Sequence, residues 1–195
     1  MSKADTGAGS PPGSPVPRRR RGRRVVAAVL AVIVVGVSVL IGHLFIWPDL
    51  PPVPGRADVI VQLGGPGNRR LVALNLVRAG RAPLVAISVS DAEVSTSWCG
   101  QGRYHGVPVL CFHSQPFTTR GEARSVAELA ARHGWHSVIL VTTPDQAMRA
   151  TLRVSRCYDG EISVATAHLP WYDWPVQIVY QAGATVKAYT LETAC

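Results

Sequence analysis

The stretch VVAAVLAVIVVGVSVLIGHLFIW at 25–47 contains no Asp, Glu, Lys or Arg, and it limits what this chain can become more than any other feature. As a helix rising about 1.5 Å per residue it covers roughly 34 Å, slightly more than the ~30 Å hydrocarbon core of a bilayer. The run is rich in valine, yet a backbone in lipid must satisfy its own hydrogen bonds, so a helix is expected. Trp47 stands where an interfacial aromatic belongs. His43 lies near the same end, where an interfacial place is expected over a functional intramembrane one. Arg18, Arg19, Arg20, Arg21, Arg23 and Arg24 directly precede the run, and the next basic residue after it is Arg56. The positive-inside rule then predicts a single-pass cell-membrane protein, N-terminus cytoplasmic and C-terminal domain extracytoplasmic. A cleaved signal peptide is the alternative. Its apolar core would span only about 7–15 residues and end in small residues, whereas this run is longer and exits through His43-Leu44-Phe45-Ile46-Trp47-Pro48.

The same arginines account for the charge. With Lys3 and against Asp5, residues 1–24 carry +6 of the formal +8. A nucleic-acid reading needs a basic face on the folded part, and the remainder is close to neutral, so no nucleic-acid partner is expected. Residues 1–17 are mostly Gly, Ser, Pro and small polar residues, with too little apolar surface to offset ordering. A disordered basic tail is expected over 1–24. Prolines at 48, 51, 52 and 54 predict a stiff polyproline-like linker over 48–56.

From 57 to 195 the pattern alternates strand-like and helix-like segments. Strands are expected at 57–63, 84–89, 107–112, 137–142 and 161–165. Helices are expected at 68–79, 119–133, 145–157 and 174–191, with Gly80 and Gly134 as stops. Thr119 and Glu122 read as a T-x-x-E capping box. Ala123, Val126, Ala127 and Ala130 form the apolar stripe of that helix. Met148, Leu152 and Ser155 share a face of the next, and Ile178, Ala182, Val186 and Tyr189 recur at helical spacing in the last. The fold class is therefore α/β: a Rossmann-like, mainly parallel five-stranded sheet with helices on both faces, preceded by one transmembrane helix.

Four cysteines, Cys99, Cys111, Cys157 and Cys195, all fall in the part expected outside, where disulfides persist. They permit three pairings; 99–111 with 157–195 is favoured because the first pair flanks one Gly-rich loop and the second ties the last helix down. A 99–111 loop is worth roughly 3 kcal/mol in the chain-entropy model. Zinc on Cys99, His105, Cys111 and His113 is the competing reading, but no C-x-x-C knuckle is present and no metal is assigned.

Ligands of such sheets bind beyond the carboxyl ends of the strands. Three stretches fall there. Leu63-Gly64-Gly65-Pro66-Gly67-Asn68-Arg69-Arg70 joins a strand to a helix whose N-terminus suits an anion, although it is not G-x-G-x-x-G. Gln115-Pro116-Phe117-Thr118-Thr119-Arg120-Gly121-Glu122-Ala123 opens a helix. Val141-Thr142-Thr143-Pro144-Asp145-Gln146-Ala147-Met148-Arg149-Ala150 ends a strand in hydroxyls and carries an Arg suited to bidentate anion binding. Each also has a plain structural reading, as a tight turn, a helix cap or a solvated helix face.

Taken in order, VIVQLGGPGNR, FTTRGEA and VTTPDQAMRA resemble the YdcF/SanA/ElyC-like family of bacterial envelope-associated proteins, over roughly 57–190. The resemblance implies a Rossmann-like fold, an N-terminal anchor, and a crevice lined by Gly64, Gly65, Arg69, Thr119, Glu122, Thr142, Thr143 and Arg149. Two departures stand out. The family usually has a His three residues before that Arg, where this chain has Gln146, and Gln is no acid or base near neutral pH. After the second strand comes Ser88-Val89-Ser90-Asp91 in place of a Ser-Gly turn. The expected function is a cell-envelope biogenesis factor that binds a small anionic or nucleotide-like ligand or a wall precursor. An envelope hydrolase or transferase, with Asp145, Glu122 or His113 as acid–base group, is the alternative. A pure scaffold, its apolar helix associating with partner membrane proteins, is a third. The residues name no cofactor.

Overall fold

The computed structural model describes residues 18–90 and 97–195; the stretch 1–17, on which most of the expected disordered tail falls, lies outside the described residues. The chain divides into two compact units, one ending at Val39 and one running Leu40–Cys195. Helix α1 (Arg18–Ile41) includes the arginine run and does not start after it. Arginine is a good helix former, so the helix set by the apolar residues extends back through it. Among the described residues one helical stretch, Gly22–Ile46, is long and apolar enough to cross a membrane. Its valines and leucines between 25 and 40 are exposed, so they form no part of a protein core.

The second unit begins with a π-helical turn, Gly42–Ile46, which packs on the helix 144–155 and buries Phe45. The proline segment does not stand free as a spacer. Leu50 and Val53 pack against the domain core, and Arg81 Nη1 donates to the Pro54 carbonyl at 3.0 Å. Its two apolar side chains gain more by burial than the stretch gains by extension.

The domain then runs β1 (Val59–Gln62), α2 (Arg69–Arg78), β2 (Val85–Ser88), α3 (Ser97–Gln101), β3 (Arg103–Tyr104), β4 (Val107–Phe112), α4 (Thr119–His133), β5 (Ser137–Thr142), α5 (Pro144–Ser155), β6 (Glu161–Thr166), a 3-10 turn Trp171–Asp173, and α6 (Trp174–Thr190). The sheet order is β3-β4-β2-β1-β5-β6. All neighbours are parallel except β3 and β4. The sheet thus has six strands where five were expected. The extra one is the short arm of a hairpin: Tyr104 pairs with Val107 across His105-Gly106, whose φ of 49° and 81° suit a tight primed turn. A two-residue strand carries no readable alternation. The Cys99–Cys111 disulfide ties this excursion to β4. Cys157–Cys195 forms the second bridge. The favoured pairing is therefore the observed one, and the cysteines of the zinc alternative are bonded to each other.

Period two along β1 divides the core. Val59, Val61 and Leu63 join Ala123, Val126, Ala147, Ala150 and Val154 of α4 and α5 on one side. Ile60 joins Ala73 and Leu74 of α2 with Val85, Ile87, Ile139 and Val141 on the other. Strand β1 is buried on both faces, as befits the middle of a parallel sheet.

Two helices turn differently from expectation. In α5 the inward face is Ala147, Ala150 and Val154, and Met148 points out. In α6 the buried residues are Gln181 and Ala188, whereas Val186 and Tyr189 of the expected stripe are exposed, as are Val176 and Val179.

Candidate functional site

Connections from β1 lead through β2 to β4 on one side, and the chain then crosses to β5 on the other side of β1. The strand order reverses between β1 and β5. At such a switch point the loops after the two strands diverge and leave a crevice above their carboxyl ends. A crevice of about 230 Å³ lies there. Gly64, Gly65 and Pro66 after β1 form one wall, Phe117, Thr119 and Glu122 at the start of α4 another, and Gln146 and Arg149 of α5 a third. Gln177, Tyr180 and Gln181 of α6 close it.

The start of α4 explains why Thr119 and Glu122 face inward. The N-cap is Thr118, one residue earlier than the capping box requires, and its side chain accepts from the Gly121 amide at 3.2 Å. Thr119 and Glu122 are thus free of capping. Thr119 Oγ1 accepts from Gln146 Nε2 at 3.0 Å. Glu122 Oε1 accepts from the Gly64 amide at 2.6 Å and so ties α4 to the loop after β1. Burial pushes the Glu122 carboxyl above its ordinary value; the Gly64 amide and the guanidinium groups of Arg69 and Arg149 act against that rise.

Of the expected site residues, Gly64, Gly65, Thr119, Glu122 and Arg149 border the crevice, and Arg69, Thr142 and Thr143 do not. Arg69 lies beneath the loop, 1 % exposed. Its Nε donates to the Pro66 carbonyl at 2.8 Å, Nη1 to the carbonyls of Leu63 and Gly64, and Nη2 to Thr143 Oγ1 at 2.9 Å. Those bonds use the guanidinium as an internal brace between two strand ends. Burial draws its pKa down to about 10, with Asp145 and Glu122 opposing, so it stays charged at neutral pH. Gly65 serves this brace: its φ is 124°, and a Cβ there would lie 2.8 Å from Arg69 Nη2. Among the described residues Thr142 Oγ1 is buried without a hydrogen-bond partner.

Arg149 is the cation that reaches the crevice. It is 8 % exposed, and its Nε donates to Gln181 Oε1 at 2.9 Å. Among the described residues no hydrogen bond is shown for its two terminal nitrogens. Burial lowers its pKa; Tyr180 and the carboxylates of Glu122 and Asp145 oppose that, and Arg153 adds to it. Of the three acid–base candidates, only Glu122 borders the crevice. His113 is engaged with the Val89 carbonyl and Gln115. Among the described residues both oxygens of Asp145 are buried without hydrogen-bond partners, in the first turn of α5.

Gln177 and Gln181 were missed as crevice residues. The signal was present: two glutamines one turn apart among the apolar and aromatic residues of the first half of the helix. Gln181 lies 2 % exposed and orients Arg149. No family model matches the chain, and no curated protein matches it.

Proposed function

We propose that this protein is a membrane-anchored binding factor of the cell envelope, with its α/β domain outside the cytoplasm and a small anionic ligand held in the crevice by Arg149. The observation that carries the ligand class is Arg149 itself: buried, oriented by Gln181, and with its terminal nitrogens uncommitted at the switch point of the sheet. A buried guanidinium with unused donors gains most from a bidentate anionic partner. The arginine run before the apolar helix supports a cytoplasmic N-terminus. Two disulfides support an oxidising compartment for the domain. The ordered motifs that resemble the YdcF/SanA/ElyC-like family fit an envelope role, and Gln146 in place of the usual His fits binding without turnover.

A thermal-shift series on the full chain in non-ionic detergent, with inorganic phosphate, nucleotides and wall precursors, tests this. A ligand at a hundredfold excess over its Kd should raise Tm by about 5–10 °C. Arg149→Gln should abolish the rise with the circular-dichroism spectrum unchanged. A rise that persists in Arg149→Gln rules the reading out.

One observation favours the enzymatic alternative: Glu122 borders the same crevice with its pKa raised, which suits a proton donor. Turnover of the bound ligand, lost in Glu122→Gln, would select a hydrolase or transferase over a binding factor.

A further inference from the structure

A second recess of about 260 Å³ lies beside the crevice and shares part of its wall: Thr118, Thr119, Arg149 and Tyr180 border both. Its remaining lining is strongly cationic. Arg120 and Arg124 come from α4, Arg153 from α5 one turn beyond Arg149, and Lys187 from α6; Glu192 is the one carboxylate side chain among them. Local physics does not favour this arrangement. Arg120 and Arg124 sit near the positive end of the α4 dipole. Arg149 and Arg153 are like charges four apart on one helix, which repel, and both are buried, at 8 % and 4 % exposure.

The protein's own groups neutralise only part of this charge. Glu192 accepts from Arg153 Nη2 at 2.5 Å and pairs with Lys187 Nζ at 2.8 Å. Arg120 and Arg124 each donate one Nη2 to a carboxylate oxygen of Cys195, at 3.0 and 2.7 Å, and with Glu192 that offsets two of the five positive charges of the wall. Among the described residues the Nε atoms of Arg120 and Arg153 are buried without partners. A buried donor left unmade is costly, and a charged one more so. The wall therefore has both charge and donors to spare, next to an arginine that already faces the crevice.

We propose that the two recesses together hold one diphosphate, with one phosphate on Arg149 in the crevice and the other among Arg120, Arg124, Arg153 and Lys187. This rests on the reading of the crevice as an anion site. Two adjoining recesses joined at Arg149 call for two adjoining anionic groups, which a single phosphate lacks. Guanidinium forks match phosphate oxygens bidentately, and a diphosphate brings more charge and more acceptors than a dicarboxylate. A free diphosphate, a nucleoside diphosphate and a lipid diphosphate all offer the two recesses the same pair of phosphates.

Isothermal titration of the full chain in non-ionic detergent separates these claims. Inorganic pyrophosphate should bind at least about tenfold tighter than orthophosphate at equal ionic strength. The double variant Arg124→Gln/Lys187→Gln, both exposed side chains, should close that gap. Equal affinity for the two anions, or an unchanged gap in the double variant, overturns the proposal. If orthophosphate still binds and loses its affinity in Arg149→Gln, the anion crevice stands and only the diphosphate falls. If neither anion binds, both fall. Given the pyrophosphate preference, tighter binding of farnesyl diphosphate than of uridine diphosphate assigns a lipid ester, the reverse order a nucleotide, and tightest binding of pyrophosphate itself the free anion.

Discussion

Arg69→Met should cost about 3–5 kcal/mol of domain stability, the usual penalty for taking one partner from a buried charge cluster. The guanidinium satisfies the carbonyls of Leu63, Gly64 and Pro66 and the hydroxyl of Thr143. It also supplies positive charge to Glu122 and Asp145, both less than 5 % exposed. Methionine fills much of the volume and does none of this. Lysine should recover only part, because a single ammonium cannot serve three nitrogens' worth of acceptors arranged as a fork. Urea denaturation of the full chain in detergent, followed by tryptophan fluorescence, reads the difference. Arg132→Met is the matched control. Its pair with Glu128 is solvent-exposed on both sides, so it should change stability by about 0.5 kcal/mol or less.

Gly121→Ala should also be strongly damaging. A Cβ at that position would lie 2.0 Å from the Pro116 carbonyl oxygen and 3.3 Å from the carbonyl carbon of Gln115. Both are backbone atoms, so relief requires the 115–118 loop or the first turn of α4 to move. The cost belongs at the upper end of the overpacking range, about 3 kcal/mol, or roughly 6–12 °C in Tm for a chain of this size. The same movement would displace Phe117, Thr118 and Thr119 from the crevice wall. Differential scanning fluorimetry checks the stability. A Gly121→Ala protein as stable as the parent would show that the loop is not held where the contact places it.

Much of the fold was legible in the sequence because the responsible residues act locally. The run Val138–Val141 in β5 has no polar member, and α4 carries its apolar stripe and a glycine stop at Gly134, whose φ is 69°. Loop position favoured the cysteine pairing that the structure shows, out of three that four cysteines permit. Elements set by long-range partners were not legible. The shift of the α4 cap to Thr118 depends on Glu122 being taken by the Gly64 amide, 58 residues away. The inward face of α6 depends on Arg149, for which Gln181 is the partner, so a polar face is buried and a valine stripe left outside. The β3–β4 hairpin is too short for any periodicity. Within the site, a loop rich in glycine read as a ligand cradle. Its arginine instead occupies the space beneath the loop, and the cation that borders the crevice is the later one, Arg149.

The compartment of the domain is the claim on which the disulfides and the envelope role both depend. It is tested most directly by labelling thiols in intact cells with a membrane-impermeant maleimide, before and after treatment with a reductant. The account predicts no reaction at Cys99, Cys111, Cys157 or Cys195 before reduction and labelling of all four afterwards. Four thiols that are free from the outset, reached by maleimide only after the cells are lysed, would place the domain in the cytoplasm and contradict it.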